Sequence, residues 1–239
     1  MEKLYEGKAK IIYPTDDPTV LITSFKDDAT AFNAQKRGTI AQKGEINCRI
    51  SVALFQLLER QGIATHYIDQ PAPNQMRVKA VTILPLEVVV RNLAAGSLCR
   101  QTGLDEGTVL PFPLVEFYYK NDALGDPLLT RDRALILNLA TEAQLQALAS
   151  KALAINSHLQ EFFDRCGIIL VDFKLEFGLD SAQHLLLADE ISPDTCRLWD
   201  KAQSDDPKAR VLDKDRFRKD LGNIETAYQQ VQTRILSQL

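Results

Sequence analysis

Two carboxylates thirteen positions apart, Glu176 and Asp189, stand near the ends of two strand-like runs joined by a tight turn. The first run, 170–178, alternates with period two: Val171, Phe173, Leu175 and Phe177 share one face, and Asp172, Lys174 and Glu176 the other. Gly178-Leu179-Asp180-Ser181 has the composition of a hairpin turn, and the return run His184 to Ala188 delivers Asp189-Glu190 ahead of Ile191-Ser192-Pro193-Asp194. Two carboxylates held about 4 Å apart repel by roughly 4 kcal/mol at an effective dielectric near 20. If they converge, a proton or a cation must sit between them. Alternation alone also fits the wet face of a half-buried sheet, but the return strand adds acid rather than compensating Lys or Arg. A few carboxylates completed by water and phosphate are the usual setting of Mg²⁺. Mg²⁺ points in turn to a nucleoside triphosphate.

Two further groups carry chemistry. Tyr5-Glu6-Gly7-Lys8-Ala9-Lys10 puts a glycine turn ahead of lysines at i and i+2, on one side of a strand, where they can cover a triphosphate. An edge strand whose lysines discourage aggregation has the same pattern. The segment 83–97 is more specific. Glu87 and Arg91 share a strand face, Ala94-Ala95-Gly96 permits close approach, and Ser97 stands where a short helix begins. Small residues leading to a helix amino terminus beside an arginine suit a phosphate, with Arg197 as a second guanidinium for the same anion. The plainer alternative makes Ser97 an N-cap and Arg91 a surface ion-pair partner.

Composition bounds what these groups can serve. The 239 residues are 45% apolar and 25% charged, with net charge −4 and no basic tract. That balance argues against a nucleic-acid partner. No apolar run approaches membrane-spanning length, and the first residues lack an apolar leader core. Four dispersed cysteines (Cys48, Cys99, Cys166, Cys196) without a C-x-x-C pair argue against zinc and a disulfide framework, and for a reduced, cytoplasmic setting. Only His66, His158 and His184 are available, and their placement does not suit a nucleophilic triad. An enzyme built from this inventory must lean on metal, charge and positioning.

The positioning elements follow from periodicity. Runs 3–6, 8–13, 20–25 and 77–84 are short extended candidates, and 46–61 carries a helical stripe at Ile50, Leu54, Leu57 and Leu58, closed by Gly62. Pro85 interrupts an extended segment that resumes at Leu86, which suits a crossing between lobes. Thr141 and Gln144 form a capping-box pattern for a helix to about Arg165, with Leu145, Leu148, Ala152, Ile155, Leu159 and Phe162 inward. Residues 202–210 are expected as a mobile loop and Trp199 as packing. A last helix from about Asp215 is expected to bury Phe217, Leu221, Ile224, Tyr228, Val231 and Ile235. The synthesis is an α+β fold: a small β-rich lobe, a larger α+β lobe, and a ligand cleft between them.

Runs 83–97, 170–178 and 187–200 closely resemble the phosphoribosylaminoimidazole-succinocarboxamide synthase (SAICAR synthetase) family. Shorter matches are Gly7-Lys8-Ala9-Lys10, 119–127 and Asp213-Lys214-Asp215-Arg216-Phe217-Arg218, so the similarity spans essentially the whole chain. Ala34 stands where the family has Gly, and Cys48 where Asn is common. The resemblance implies a kinase-like ATP cleft, with a nucleotide-covering antiparallel lobe over 1–84 and a lobe carrying the metal and substrate sites over 85–239. It implies an ATP-dependent ligase of de novo purine biosynthesis. Such an enzyme condenses 5-amino-1-(5-phosphoribosyl)imidazole-4-carboxylate (CAIR) with L-aspartate, through an acyl phosphate, to give SAICAR, ADP and phosphate. By the same resemblance Glu176 and Asp189 hold Mg²⁺ on the ATP phosphates, and Lys8, Ala9 and Lys10 cover them. Adenine lies against the crossing at Leu84 to Leu86 through backbone groups, with Lys79 nearby, and Arg91, Ser97 and Arg197 take the monophosphate. Lys174 and Lys120 neutralise carboxylates or the moving phosphoryl group, while Asp172 and Asp194 contact substrate polar groups or metal-bound water. A homodimer is also implied. Two rivals remain open at this level: a kinase handing phosphate to a hydroxyl, and a nucleotide sensor without turnover.

Overall fold

Short β-branched and aromatic runs separated by Gly, Pro and Asp build the first third of the chain as strands. The computed structural model describes residues 2–31 and 35–239, and Ala34 lies outside them. The chain begins with β1 (Tyr5–Glu6), β2 (Lys10–Pro14) and β3 (Val20–Phe25), then a separate hairpin, β4 (Asp28–Ala31) and β5 (Lys36–Thr39). Helix α1 (Lys43–Arg60), β6 (Tyr67–Ala72) and β7 (Gln75–Lys79) follow. The first sheet is antiparallel in the order β1-β2-β3-β7-β6.

The second part comprises β8 (Thr82–Leu93), α2 (Ser97–Thr102), β9 (Val109–Tyr119), β10 (Leu128–Leu129), α3 (Arg131–Ile136) and α4 (Glu142–Arg165). It ends with β11 (Ile168–Leu179), β12 (Leu185–Ala188), β13 (Cys196–Asp200), α5 (Asp215–Arg218) and α6 (Ile224–Leu236). This sheet runs β10-β9-β8-β11-β12, and β13 pairs with the other stretch of β11. Helix α4 covers β8, β9 and β11, while α1 lies on the first sheet and against α6. A continuous core, including Phe25, Leu54, Val88, Leu159, Phe173 and Tyr228, runs through both parts. The sheets are tied together where Thr65 bridges Leu187 and the His66 N–H donates to the Leu187 carbonyl at 2.8 Å.

The capping box forms as expected: Thr141 Oγ1 accepts from the Gln144 N–H at 3.2 Å, and Gln144 Oε1 accepts from the Thr141 N–H at 2.7 Å. All six expected inward residues of α4 are buried. Cys48 is fully buried in α1. Trp199 is buried, and Arg210, ending the 202–210 loop, lies over its ring at 3.6 Å.

Four local expectations are corrected. Pro85 does not interrupt a strand; β8 runs through it, at the place where pairing with β11 shifts register between Glu176 and Gly178. The shift spares a partner from needing the missing proline N–H. Val171 does not share the face of Phe173, because an irregularity between Leu170 and Asp172 sends it to a small cluster with Trp199, Ala95 and Val211. Lys8 precedes β2 rather than lying in it. The last helix is two, broken where Asp220, Gly222 and Asn223 adopt positive φ. Phe217 therefore packs on Ala29, Ala31 and Ile40, away from the Tyr228 face of α6.

Candidate active site

A cavity of about 780 Å³ opens between the two sheets, within the roughly 300–1,000 Å³ usual for small-molecule sites. Strand β8 makes one wall. Its alternation sends Leu84, Leu86, Val88 and Val90 into the core and leaves Ile83, Glu87, Val89 and Arg91 toward the cavity. Antiparallel β11 sets Asp172 opposite Arg91, Lys174 opposite Val89, and Glu176 opposite Glu87. The first sheet supplies the facing wall, with Lys8, Ala9, Lys10, Leu21, Val78 and Lys79.

Glu87 and Glu176, directly opposed, repel unless a cation intervenes. Lys174 is that cation: its Nζ lies 3.0 Å from Glu87 Oε1, 2.7 Å from Glu176 Oε1 and 3.6 Å from Asp189 Oδ2. Lys120 donates to both Glu176 oxygens at 2.6 Å. Asp189 leaves β12 with φ +62°, a conformation costing a non-glycine residue roughly 1–2 kcal/mol. Asp189 and Glu190 thereby meet one ammonium, that of Lys10, which pairs with Asp189 and lies 2.9 Å from Glu190 Oε1. Burial opposes the charge on Lys10 and Lys174, but the facing carboxylates outweigh it and hold both above the usual lysine range. Burial also opposes ionisation of Asp189, and Lys10 and Lys174 override it, keeping the carboxyl below its ordinary range.

A second cluster centres on buried Asp172. Its Oδ2 accepts from Arg91 Nη1 at 2.5 Å and Arg197 Nη1 at 2.8 Å. Arg91 also donates to Glu116 at 2.7 Å and to Ser97 Oγ at 2.9 Å, and Arg197 Nε donates to Asp215 at 3.1 Å. The cap of α2 is Gly96, with φ +58°, and a Cβ there would come 2.5 Å from Arg197 Nη2. Glycine thus serves both the turn and the close guanidinium approach.

A third cluster joins α1, α6 and the segments around β13. Asp194 accepts from Lys43 Nζ at 2.8 Å and the Tyr228 hydroxyl at 2.7 Å, with Lys214 Nζ farther off at 3.7 Å. Asp213 accepts from the Leu198 and Asp215 N–H groups, each at 2.8 Å, and burial together with the neighbouring Asp215 charge pushes its carboxyl up to about 7. At the back, His66 packs edge-on to Phe55, and burial pushes its imidazole down to about 4.

Lys8, Ala9, Lys10, Lys79, Arg91, Lys120, Asp172, Lys174, Glu176, Asp189, Asp194 and Arg197 all line the cavity. Leu84, Leu86 and Ser97 are not among its lining residues. The two leucines belong to the core, and the apolar lining near them comes from Val81 and Ile83. Ser97 acts through Arg91. Lys8 and Lys10 are not a matched pair, since Lys8 reaches Asp122 at 2.7 Å while Lys10 goes to Asp189 and Glu190. Sequence reasoning did not single out Lys43, Lys214, Arg218 or Tyr228 as site residues. Lys43-Gly44 at a helix start, and the alternating charges of Asp213-Lys214-Asp215, were the available signals.

Among the described residues, no group of three or more His, Cys, Asp or Glu side chains converges as a metal cage. Glu176 and Asp189 do face the same cavity and already share the Lys174 ammonium. Two hard oxygen donors beside open space fit a Mg²⁺ ion held otherwise by phosphate and water.

The SAICAR synthetase family profile matches residues 3–235. The phosphoribosylaminoimidazole-succinocarboxamide synthase of Synechocystis sp. is 71% identical over 239 residues, covering 100% of this chain and 90% of that protein. The enzyme of the same name from Cyanothece sp. is 68% identical over 237 residues, covering 99% and 98%. The crystal structure of phosphoribosylaminoimidazole-succinocarboxamide synthase from Ehrlichia chaffeensis matches with TM-score 0.94 at 45% identity, covering 100% and 99% of the two chains. A SAICAR synthetase solved in complex with ADP matches with TM-score 0.93 at 47% identity, covering 99% and 98%. With the sequence matched over its whole length and the overall fold reproduced, the chain belongs to the SAICAR synthetase family.

Proposed function

We infer that this protein is a phosphoribosylaminoimidazole-succinocarboxamide synthase, an ATP-dependent ligase of de novo purine biosynthesis that joins CAIR to L-aspartate and releases SAICAR, ADP and phosphate. The observation that carries the reading is the full-length relationship to enzymes of that name, together with a cleft whose cations are arranged in separate groups.

A carboxylate is a poor electrophile, so the reaction runs through an acyl phosphate. A CAIR carboxylate oxygen attacks the γ-phosphorus and ADP leaves. The aspartate amine then attacks the acyl carbon, loses a proton, and phosphate departs. No protein nucleophile is needed, and the residues contribute positioning and charge. Lys8, Lys10, Lys120 and Lys174 face the triphosphate and balance charge as the phosphoryl group moves. Adenine lies against Leu21, Val78, Val81 and Ile83, with Lys79 at the rim. Asp172 orients Arg91 and Arg197 toward the CAIR monophosphate, and Ser97 steadies Arg91. Glu176 and Asp189 would hold Mg²⁺, which neutralises phosphate charge when bound.

The proposed division of labour assigns nucleotide covering to 1–84 and metal and substrate binding to 85–239. A homodimer and a cytoplasmic location complete the reading. No helix among the described residues is long and apolar enough to cross a membrane.

The test mixes pure protein with Mg-ATP, L-aspartate and CAIR and follows ADP and the succinylated product by mass spectrometry, omitting each component in turn. Formation of both only in the full mixture is expected. Repeated turnover to ADP, beyond one equivalent per site, that does not require aspartate favours the kinase rival, and saturable ATP binding without ADP favours the sensor.

A further inference from the structure

A guanidinium carries five N–H groups, and in Arg91 each of them has an acceptor. Nε donates to Glu116 Oε2 at 2.7 Å, and Nη1 to Asp172 Oδ2 at 2.5 Å and the Ala95 carbonyl at 3.4 Å. Nη2 donates to Ser97 Oγ at 2.9 Å and to the Tyr118 hydroxyl at 3.2 Å. Arg197 differs: its Nε and Nη1 meet Asp215 and Asp172, and its Nη2 has no acceptor among the described residues. The two guanidiniums facing the monophosphate are therefore not equivalent. Arg197 can add an anion, whereas Arg91 must exchange a partner for one.

Chemistry decides which partner can go. Glu116 and Asp172 are carboxylates, and hydrogen bonds to a charged acceptor are the strong ones. The hydroxyls on Nη2 are the weaker acceptors, and Tyr118 is the longer contact of the two. Its own proton points at Glu116 Oε2, 3.1 Å away. Releasing Arg91 leaves that bond intact, so the exchange strands no polar hydrogen. Strand β9 fixes the arrangement: Glu116 and Tyr118 share one face, opposite Val89 and Glu87 of the cavity wall, and neither lines the cavity itself. Tyr118 reaches a ligand only through Arg91. We propose that Tyr118 is a positioning residue that holds the Arg91 Nη2 place taken by the monophosphate, an assignment resting on the ligase reading above. Its hydroxyl oxygen sets the guanidinium plane, a phosphate oxygen replaces it on Nη2, and the hydroxyl stays on Glu116. Tyr118 thus orders Arg91 and competes with the ligand for it.

This exchange predicts the opposite sign from the loss of a ligand contact. Tyr118→Phe removes the competing acceptor and nothing that touches CAIR, so calorimetric titration should show CAIR binding about 3–10-fold tighter. That change lies below the full effect of a hydrogen bond to a charged group, because water from the cleft can take the vacated place. KM for CAIR should fall in step, and KM for Mg-ATP should stay within about twofold. By the same cycle, Tm without ligand should drop by roughly 2–4 °C, and saturating CAIR should bring it back to that of the wild-type complex. Weaker CAIR binding overturns the proposal and makes the hydroxyl a support of the bound state. Unchanged binding overturns it in favour of a purely structural tyrosine, whatever the Tm. Should Tyr118→Phe fail to fold, Tyr118→Met, which also lacks the hydroxyl, is read in the same way. The titrations need no turnover. A wild type that binds CAIR but forms no ADP with all three substrates refutes the ligase reading instead, a separate result.

Discussion

Asp172→Asn tests whether the arginine cluster is held together by charge. Asp172 is 4% exposed and its carboxylate joins Arg91 and Arg197. Asparagine keeps the shape and removes the charge. Two guanidiniums sharing one carboxylate lie about 5–6 Å apart, and at an effective dielectric near 20 their repulsion is about 3 kcal/mol. Loss of one partner of a buried pair falls in the same range, about 3–5 kcal/mol. Glu116 and Asp215 still engage the outer sides of the two arginines, so the lower figure is expected. For a chain of this length 1 kcal/mol moves Tm by about 2–4 °C, so the variant should melt roughly 6–12 °C lower. Inorganic phosphate should reverse this, because an anion can replace the missing charge. At a hundredfold excess over Kd a ligand adds about 2.7 kcal/mol, nearly the whole loss. The assay is a thermal melt at low salt with a phosphate titration. The wild type, whose Asp172 competes with phosphate, should gain less. A drop below about 2 °C, or equal phosphate gains in both proteins, would refute the reasoning.

Other outcomes follow from the same geometry. Glu176→Gln and Asp189→Asn should each cut ADP formation by about 10²-fold or more while the protein remains folded; turnover at the wild-type rate would remove the metal reading. Gly96→Ala should raise KM for CAIR more than KM for ATP, because its Cβ would displace Arg197; a shift in the ATP value alone would contradict this. For His66 the folded pKa, about 4, lies below the unfolded value near 6.5. Its stabilising contribution is therefore complete above about pH 6.5 and is lost as pH falls toward 4. Denaturant melts should show the wild type losing about 2–3 kcal/mol more than His66→Gln between pH 7.5 and pH 4.5; parallel losses would disprove the assignment.

Local patterns were legible wherever one residue's neighbours in sequence decide its environment. The period-two runs of β8 and β11, the capping box of α4 and the inward stripe of α4 all depend on spacing alone. The family was legible by resemblance, because the motifs at 83–97, 170–178 and 187–200 are long enough to be specific. Less legible were local breaks in those patterns. The register shifts beside Pro85 and Val171 arise from pairing with partner strands, and the helix break at 220–223 overrides an apolar stripe that continues across it.

By itself the chain determined which acids and bases were available and which strands would carry them. Only the tertiary structure decided which charges neutralise each other: Lys174 between Glu87, Glu176 and Asp189, Asp172 between two arginines, and Asp194 under Lys43 and Tyr228. The partners are up to 151 residues apart in sequence. Coulomb energy depends on distance and dielectric, and both are set by packing rather than by spacing along the chain.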